Sequence, residues 1–346
     1  MYRKGMKGHT NNIVIGLGAL TIFVLLVLIK TPFVKKLPYF QYSHREILIG
    51  VWTEEFWNNQ TKTLEVQKIK EFEKNINKKV AIANYFRGWD EMGHPQVITE
   101  LNSMHSNGWT PMVSTNPYFT EKCTSSTDDL YVTIAKGNCD VLIRSIAKVI
   151  KTYDKPIFLR FAWEMNIDSN TWSVQSTYSS PDAFIAAWRH MHAIFTAQKV
   201  KNVKWVFSVN VESPSTIPIE LLYPGDAYVD WTGIDGYNYG TTQSWSHWSS
   251  FDEVFRPTYE HMLAIAPNKP LMISEFNSVA QGGSKSEWFA DALDVQIPNH
   301  YPKIKAIIFF NENKTITEGV DWRIENSRSV INTVRKSLDN SIYTSK

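Results

Sequence analysis

From Glu46 onward, short apolar runs rich in β-branched and aromatic residues alternate with stretches whose apolar side chains recur at helical spacing. Runs of the first kind at 46–52, 79–85, 110–114, 156–163, 203–209, 229–235, 269–274 and 304–310 predict strands. Stretches of the second kind at 62–76, 95–106, 140–152, 182–198, 251–265, 286–295 and 327–338 predict helices. In the fourth of these, Phe184, Ala187, Trp188, Met191 and Phe195 fall on one face. Eight such βα units in about 300 residues predict an α/β fold closed as a (β/α)8 TIM barrel. The alternative, an open doubly wound sheet, lacks the Gly-rich phosphate loop that would follow its first strand.

A different pattern precedes the barrel. Ile13 to Ile29 is 17 residues without a charge, preceded by Arg3, Lys4 and Lys7 and closed by Lys30. A cleavable signal would end its apolar run in small residues, whereas Lys30-Thr31-Pro32-Phe33 follows here, which predicts an uncleaved transmembrane signal anchor. The expected layout is a short cytoplasmic basic segment at 1–12, the anchor at 13–29, a linker at 30–45 and a catalytic domain at 46–346. With the N-terminus inside, the default for a leading anchor, this is a single-pass, membrane-anchored protein whose catalytic domain is extracellular.

Composition narrows the function. Thirty-six Lys and Arg against 34 Asp and Glu leave a net charge of +2, which argues against a nucleic-acid binder. A hydrophobic fraction of 43% with 20% charged residues excludes wholesale disorder. Aromatic residues reach 13%, with 13 Trp and 15 Tyr, more than core filling asks for, and flat apolar rings suit the faces of sugars. Cys123 and Cys139 share one Ser/Thr/Asp-rich stretch; a disulfide and a free pair both fit, and zinc spacing is absent.

In a (β/α)8 barrel the chemistry sits at the C-terminal ends of the strands. Glu164 follows the fourth predicted strand and Glu275 the seventh. Strand alternation puts Phe158, Arg160, Ala162 and Glu164 on one side, and Leu271, Ile273 and Glu275 on one side of theirs. If both sides face the axis, two carboxyl groups meet over the barrel mouth, as retaining glycosidases require at a separation of roughly 5–5.5 Å. Arg160 is placed to keep a carboxylate ionised, and Tyr237, just past strand six, to orient Glu275; a buried ion pair and an aromatic lid are their bland alternatives. Trp52, Trp89, Trp172 and Trp245, with Trp248, are candidate sugar platforms, or rings packed beneath loops. Asn166 and Asn210 are candidate donors to sugar hydroxyls, or turn residues; His94 and Asn116 are weaker candidates.

The segments Arg160-Phe161-Ala162-Trp163-Glu164-Met165-Asn166, Val229 to Asn238, Lys269 to Phe276 and Asp321-Trp322-Arg323 resemble those of glycoside hydrolase family 26 over about Gly50 to Ser329. Members are retaining (β/α)8 barrels, mostly endo-β-mannanases with some β-glucanases and β-1,3-xylanases. The resemblance implies that Glu164 is the acid/base and Glu275 the nucleophile, and needs neither metal nor cofactor. Family mannanases usually carry His before the acid/base, where this chain has Trp163; a usual tryptophan is replaced around Ser169; and Asn311-Glu312-Asn313-Lys314 lacks an aromatic platform. These departures bring a β-1,4 or mixed-linkage β-glucan into competition with mannan as the polysaccharide partner. The expected function is a retaining endo-β-glycosidase at the cell surface. A catalytically inactive glycan-binding barrel and a transglycosylase are the alternatives.

Overall fold

The computed structural model describes residues 45–53, 57–58, 63–64, 66–120, 123 and 129–345. The basic segment 1–12, the expected anchor 13–29 and the linker up to residue 44 lie outside the described residues. Among the described residues, no helix is long and apolar enough to cross a membrane.

Eight parallel strands follow one another around a closed sheet: β1 (Ile47–Thr53), β2 (Ile82–Phe86), β3 (Thr110–Thr115), β4 (Ile157–Phe161), β5 (Val203–Asn210), β6 (Trp231–Asn238), β7 (Leu271–Ser278) and β8 (Ile304–Asn311). Each pairs with the next in chain order, and β8 returns to β1 in a register running from Leu48 opposite Ala306 to Thr53 opposite Asn311. The barrel expected from the alternating pattern is therefore present. Its outer ring includes α1 (Val66–Ile76), α2 (Gln96–Ser106), α3 (Asp140–Tyr153), α4 (Pro181–Ala197), α5 (Phe251–Ile265), α6 (Lys285–Ala290) and α7 (Arg328–Leu338). Helix starts coincide with cap residues: Ser180 accepts from the Ala183 N–H with Pro181 in the first turn, and Ser250 with Glu253 forms a capping box. The expected helix 286–295 is shorter, because α6 gives way at Asp291 to the wider turns of Asp291–Gln296. Cys123 and Cys139 are joined as a disulfide, Cα to Cα 4.3 Å, which ties residue 123 to the start of α3.

Two layers fill the barrel. Ile82, Met112, Phe158, Val206, Met272, Ala306 and Ile308 form an apolar cluster of their own, separate from the larger core that packs the strands against the helices. Toward the C-terminal ends of the strands, Ser114, Arg160, Ser208, Asp235 and Ser274 form a buried polar layer. Gly233 keeps room for it: a Cβ there would stand 2.7 Å from Ser274 Oγ and 2.9 Å from Ser208 Oγ.

Two irregularities correct the expected strand geometry. β4 ends at Phe161, and Ala162 (φ 48°) and Glu164 (φ 53°) take the left-handed backbone region that non-glycine residues avoid. The Glu164 N–H is held there by the Ser208 carbonyl at 3.0 Å, so a turn aims this side chain, and the alternation through Ala162 does not. In β7, Leu271 and Ile273 belong to the outer core while Met272 belongs to the barrel interior, the reverse of the expected facing. A register shift between Ile234 and Asp235, where Ile273 is followed by Glu275 in the pairing, lets Glu275 turn inward after Ser274.

Candidate active site

The polar layer supports the site from below. Arg160, fully buried, donates from Nε to Ser114 Oγ at 2.7 Å and from Nη1 to both Asp235 oxygens at 2.9 and 3.1 Å. Asp235 is further fixed by Ser274 Oγ at 2.6 Å and Ser208 Oγ at 3.1 Å. With Nε and Nη1 committed, Nη2 is left to donate to Glu275 Oε1. The other oxygen of Glu275 accepts from the Tyr237 hydroxyl. Burial works against the charge of Arg160, but Asp235 and Glu275 outweigh it and raise its pKa, so the guanidinium stays cationic. Burial and the nearby carboxylates likewise push the Tyr237 hydroxyl well up, and it remains a donor.

Glu164 has a different environment. Its carboxyl accepts from Asn210 Nδ2 at 2.6 Å and from Asn170 Nδ2 at 3.2 Å. Burial raises its pKa and the Glu275 charge adds to this, while the two asparagines and Arg160 oppose it. The net upward shift favours a carboxyl that holds its proton, opposite a Glu275 fixed by a cation and a hydroxyl. Two carboxyl groups whose environments differ in this way can serve as acid and nucleophile.

Both glutamates line one cavity of about 440 Å³ at the C-terminal end of the barrel. On one side Trp52, Phe86, Trp163 and Trp172 form a run of rings with centroids 4.9, 5.0 and 4.5 Å apart. Trp163 and Phe86 also lie against the Arg160 guanidinium, at 5.4 and 5.5 Å. The lining continues from Trp52 to its cross-strand neighbour Phe310 and on to Tyr237, Tyr239 and Trp322, joined by Glu312, Lys314 and Glu318 after β8. Lys314 pairs with Glu318 at 2.9 Å and sits 5.0 Å over the Phe310 ring, and Glu312 accepts from Trp52 Nε1 at 3.1 Å. Charged side chains thus occupy the place after strand eight where the sequence lacks an aromatic platform.

Of the residues singled out by sequence, Glu164, Glu275, Arg160, Tyr237, Trp52, Trp163, Trp172 and Asn210 converge here, with Asn210 binding Glu164 directly. Trp89 does not: it is fully buried and gives its Nε1–H to the Tyr118 carbonyl at 3.1 Å. Asn166 is buried and brackets the backbone of Asn210, with both bonds at 2.9 Å, so it fixes the end of β5. Trp245 is 69% exposed, its ring against Tyr239 and outside the cavity lining. Trp248 lines a separate depression with Trp288, and neither His94 nor Asn116 lines the cavity. Sequence reasoning missed Asn170, Asp235, Phe86, Tyr239, Phe310 and Trp322; Asp235 was visible as a charge inside an apolar run. Among the described residues, Glu212, Glu220 and His261 have metal-ligand spacing, but His261 already meets Glu212 at 2.8 Å and Glu220 at 3.1 Å through its two ring nitrogens.

A closed (β/α)8 barrel with two glutamates in different surroundings in one aromatic-lined cavity has the fold and site of a glycoside hydrolase. The sequence agrees, matching the family described as Glycosyl hydrolase family 26 over residues 67–318. The chain belongs to that family. It is 37% identical over 274 residues to Endoglucanase H of Acetivibrio thermocellus, which covers 78% of this chain and 29% of that protein. The chain spans less than a third of the length of the curated relatives it matches. In fold it is similar to an endo-β-1,4-mannanase double mutant of Cellulomonas fimi, with a TM-score of 0.61 at 15% identity over 86% of this chain and 72% of that one. A β-mannanase from a symbiotic protist of the termite Reticulitermes speratus, complexed with gluco-manno-oligosaccharide, gives 0.57 at 14% identity over 87% and 88% of the two chains.

Proposed function

We propose that this protein is a retaining endo-β-glycosidase that cuts a β-linked polysaccharide by double displacement, with Glu275 as nucleophile and Glu164 as acid/base. The observation that carries this reading is the contrast between the two carboxyl groups in one cavity: Glu275 held by Arg160 and Tyr237, Glu164 half-buried with its pKa raised by desolvation. A Glu275 oxygen attacks the anomeric carbon while the glycosidic C–O bond breaks and its oxygen takes the Glu164 proton. Water then attacks the glycosyl-enzyme, giving a proton to Glu164 and releasing Glu275. Arg160 and Tyr237 orient the nucleophile, and the aromatic walls hold the sugar rings and exclude water.

Within the family, a β-1,4 or mixed-linkage β-glucan is the substrate we favour over mannan. Endoglucanase H is the relative at 37% identity, whereas the mannanase structures share 14–15% and speak for the fold alone. Trp163, in place of the usual histidine, lines the cavity beside Glu164 and adds an apolar ring to its wall. We place the domain outside the cell, tethered to the membrane through residues 13–29. The Cys123–Cys139 disulfide supports export, since disulfides persist in oxidising compartments.

The test is reducing-sugar release by residues 40–346 from mixed-linkage glucan, carboxymethylcellulose, glucomannan, galactomannan and β-1,3-xylan, with Glu164→Ala and Glu275→Ala in parallel. Cleavage of a β-glucan by the wild type and silence of both variants is expected. A polymer retained on an affinity gel but left uncut would establish a binding module instead.

A further inference from the structure

Lys285, the first residue of α6, is only 4% exposed. Its Nζ donates to the backbone carbonyls of Trp322 and Arg323, both at 3.0 Å. Burying an ammonium is costly, and here desolvation pushes the group down to about 7, with Asp321 and Glu325 opposing the shift and Arg323 adding to it. Those neighbours are themselves engaged: Asp321 accepts from Arg323 at 2.9 and 2.8 Å, and Glu325 accepts from Asn311 at 3.2 and 2.9 Å. An apolar side chain would fill this space at lower cost. The lysine instead supplies one group that donates to two backbone carbonyls at once, which an apolar side chain would leave without a partner.

The backbone it holds carries Trp322. That ring lies 4.9 Å from Tyr237 and 4.9 Å from Tyr239, and forms part of the cavity wall. Trp322 also donates its N–H to the Glu312 carbonyl at 2.9 Å. Tyr237, packed against Trp322, donates a hydrogen bond from its hydroxyl to Glu275.

We propose that Lys285 is a positioning residue for the reaction: by gripping the Trp322 and Arg323 carbonyls it seats Trp322 against Tyr237 and so aims the Tyr237 hydroxyl at Glu275. The proposal rests on the reading of Glu275 as nucleophile. No atom of Lys285 touches the cavity, so its effect runs through Tyr237.

A double-mutant cycle on the substrate that the wild type cuts tests this, with Lys285→Met, Tyr237→Phe and the pair. Lys285→Met is expected to lower kcat by about tenfold, with any rise in KM coming from the unseated Trp322 wall, and to cost less than about twofold further in kcat once Tyr237 is Phe. Independent, multiplicative losses, or a loss confined to KM, would overturn the proposal while leaving the hydrolase reading intact. A wild type that cuts no polysaccharide overturns that reading and this role with it. Should Lys285→Met not fold, Lys285→Gln, which keeps a donor for one carbonyl, runs the same cycle and is expected to lose less kcat than Tyr237→Phe.

Discussion

Asn210 Nδ2 lies 2.6 Å from Glu164 Oε1. An amide that donates to a carboxyl favours its ionised form, so this contact works against the burial that raises the Glu164 pKa. The balance leaves Glu164 with a raised pKa, and in the proposed double displacement it must hold its proton for the first step and release it before the second.

Removing that donor has a directional consequence. Asn210→Ala takes away a force that lowers the Glu164 pKa, so the proton is retained to higher pH. The alkaline limb of the kcat/KM profile is expected to move upward, and kcat/KM at its optimum to fall on the order of tenfold. An unmoved limb would mean that Glu164 does not govern it.

Stability should report the same group. A raised folded-state pKa means that the folded protein binds a proton more tightly than the unfolded chain does. The stability linked to Glu164 is therefore fully present below the ordinary value of 4.5 and is lost as pH rises through the folded value. Glu164→Gln removes this loss. Its Tm advantage over the wild type should be smallest near pH 4 and widen toward neutral pH, as differential scanning calorimetry would show; an advantage independent of pH would contradict the assignment.

Two tryptophans should separate structure from binding. Trp89 is fully buried away from the cavity, and Trp89→Ala is expected to cost about 3–5 kcal/mol of stability with KM unchanged in the folded fraction. Trp52 lines the cavity, and Trp52→Ala should raise KM by about tenfold. Urea unfolding alongside steady-state kinetics checks both; a KM effect from Trp89 would place it nearer the sugar than the structure does.

The eight strands and both glutamates were legible because each strand of a closed barrel is an apolar run of its own, and its C-terminal end is where a carboxylate becomes reactive. The way the glutamates turn inward was not legible. Alternation assumes a regular strand, and both sites break that assumption, Glu164 through left-handed backbone after Phe161 and Glu275 through the register shift after Ser274. Asn170 went unnoticed and Trp322, seen only as part of a family segment, was not placed in the cavity for a related reason: each reaches it from an irregular segment whose course is set by tertiary bonds. In the case of Trp322 those bonds include the pair from Lys285. Trp89 and Asn166 stand at strand ends as an active-site residue would, but face away from the cavity into packed loops.

The most direct test of the central claim is the anomeric form of the first product. Proton NMR of a mixed-linkage β-glucan digest, recorded within the first minutes before mutarotation, should show the β-anomer appearing first with the wild type. Retention is the outcome of two successive displacements at Glu275. An initial α-anomer, or undiminished cleavage by Glu275→Ala, would contradict it.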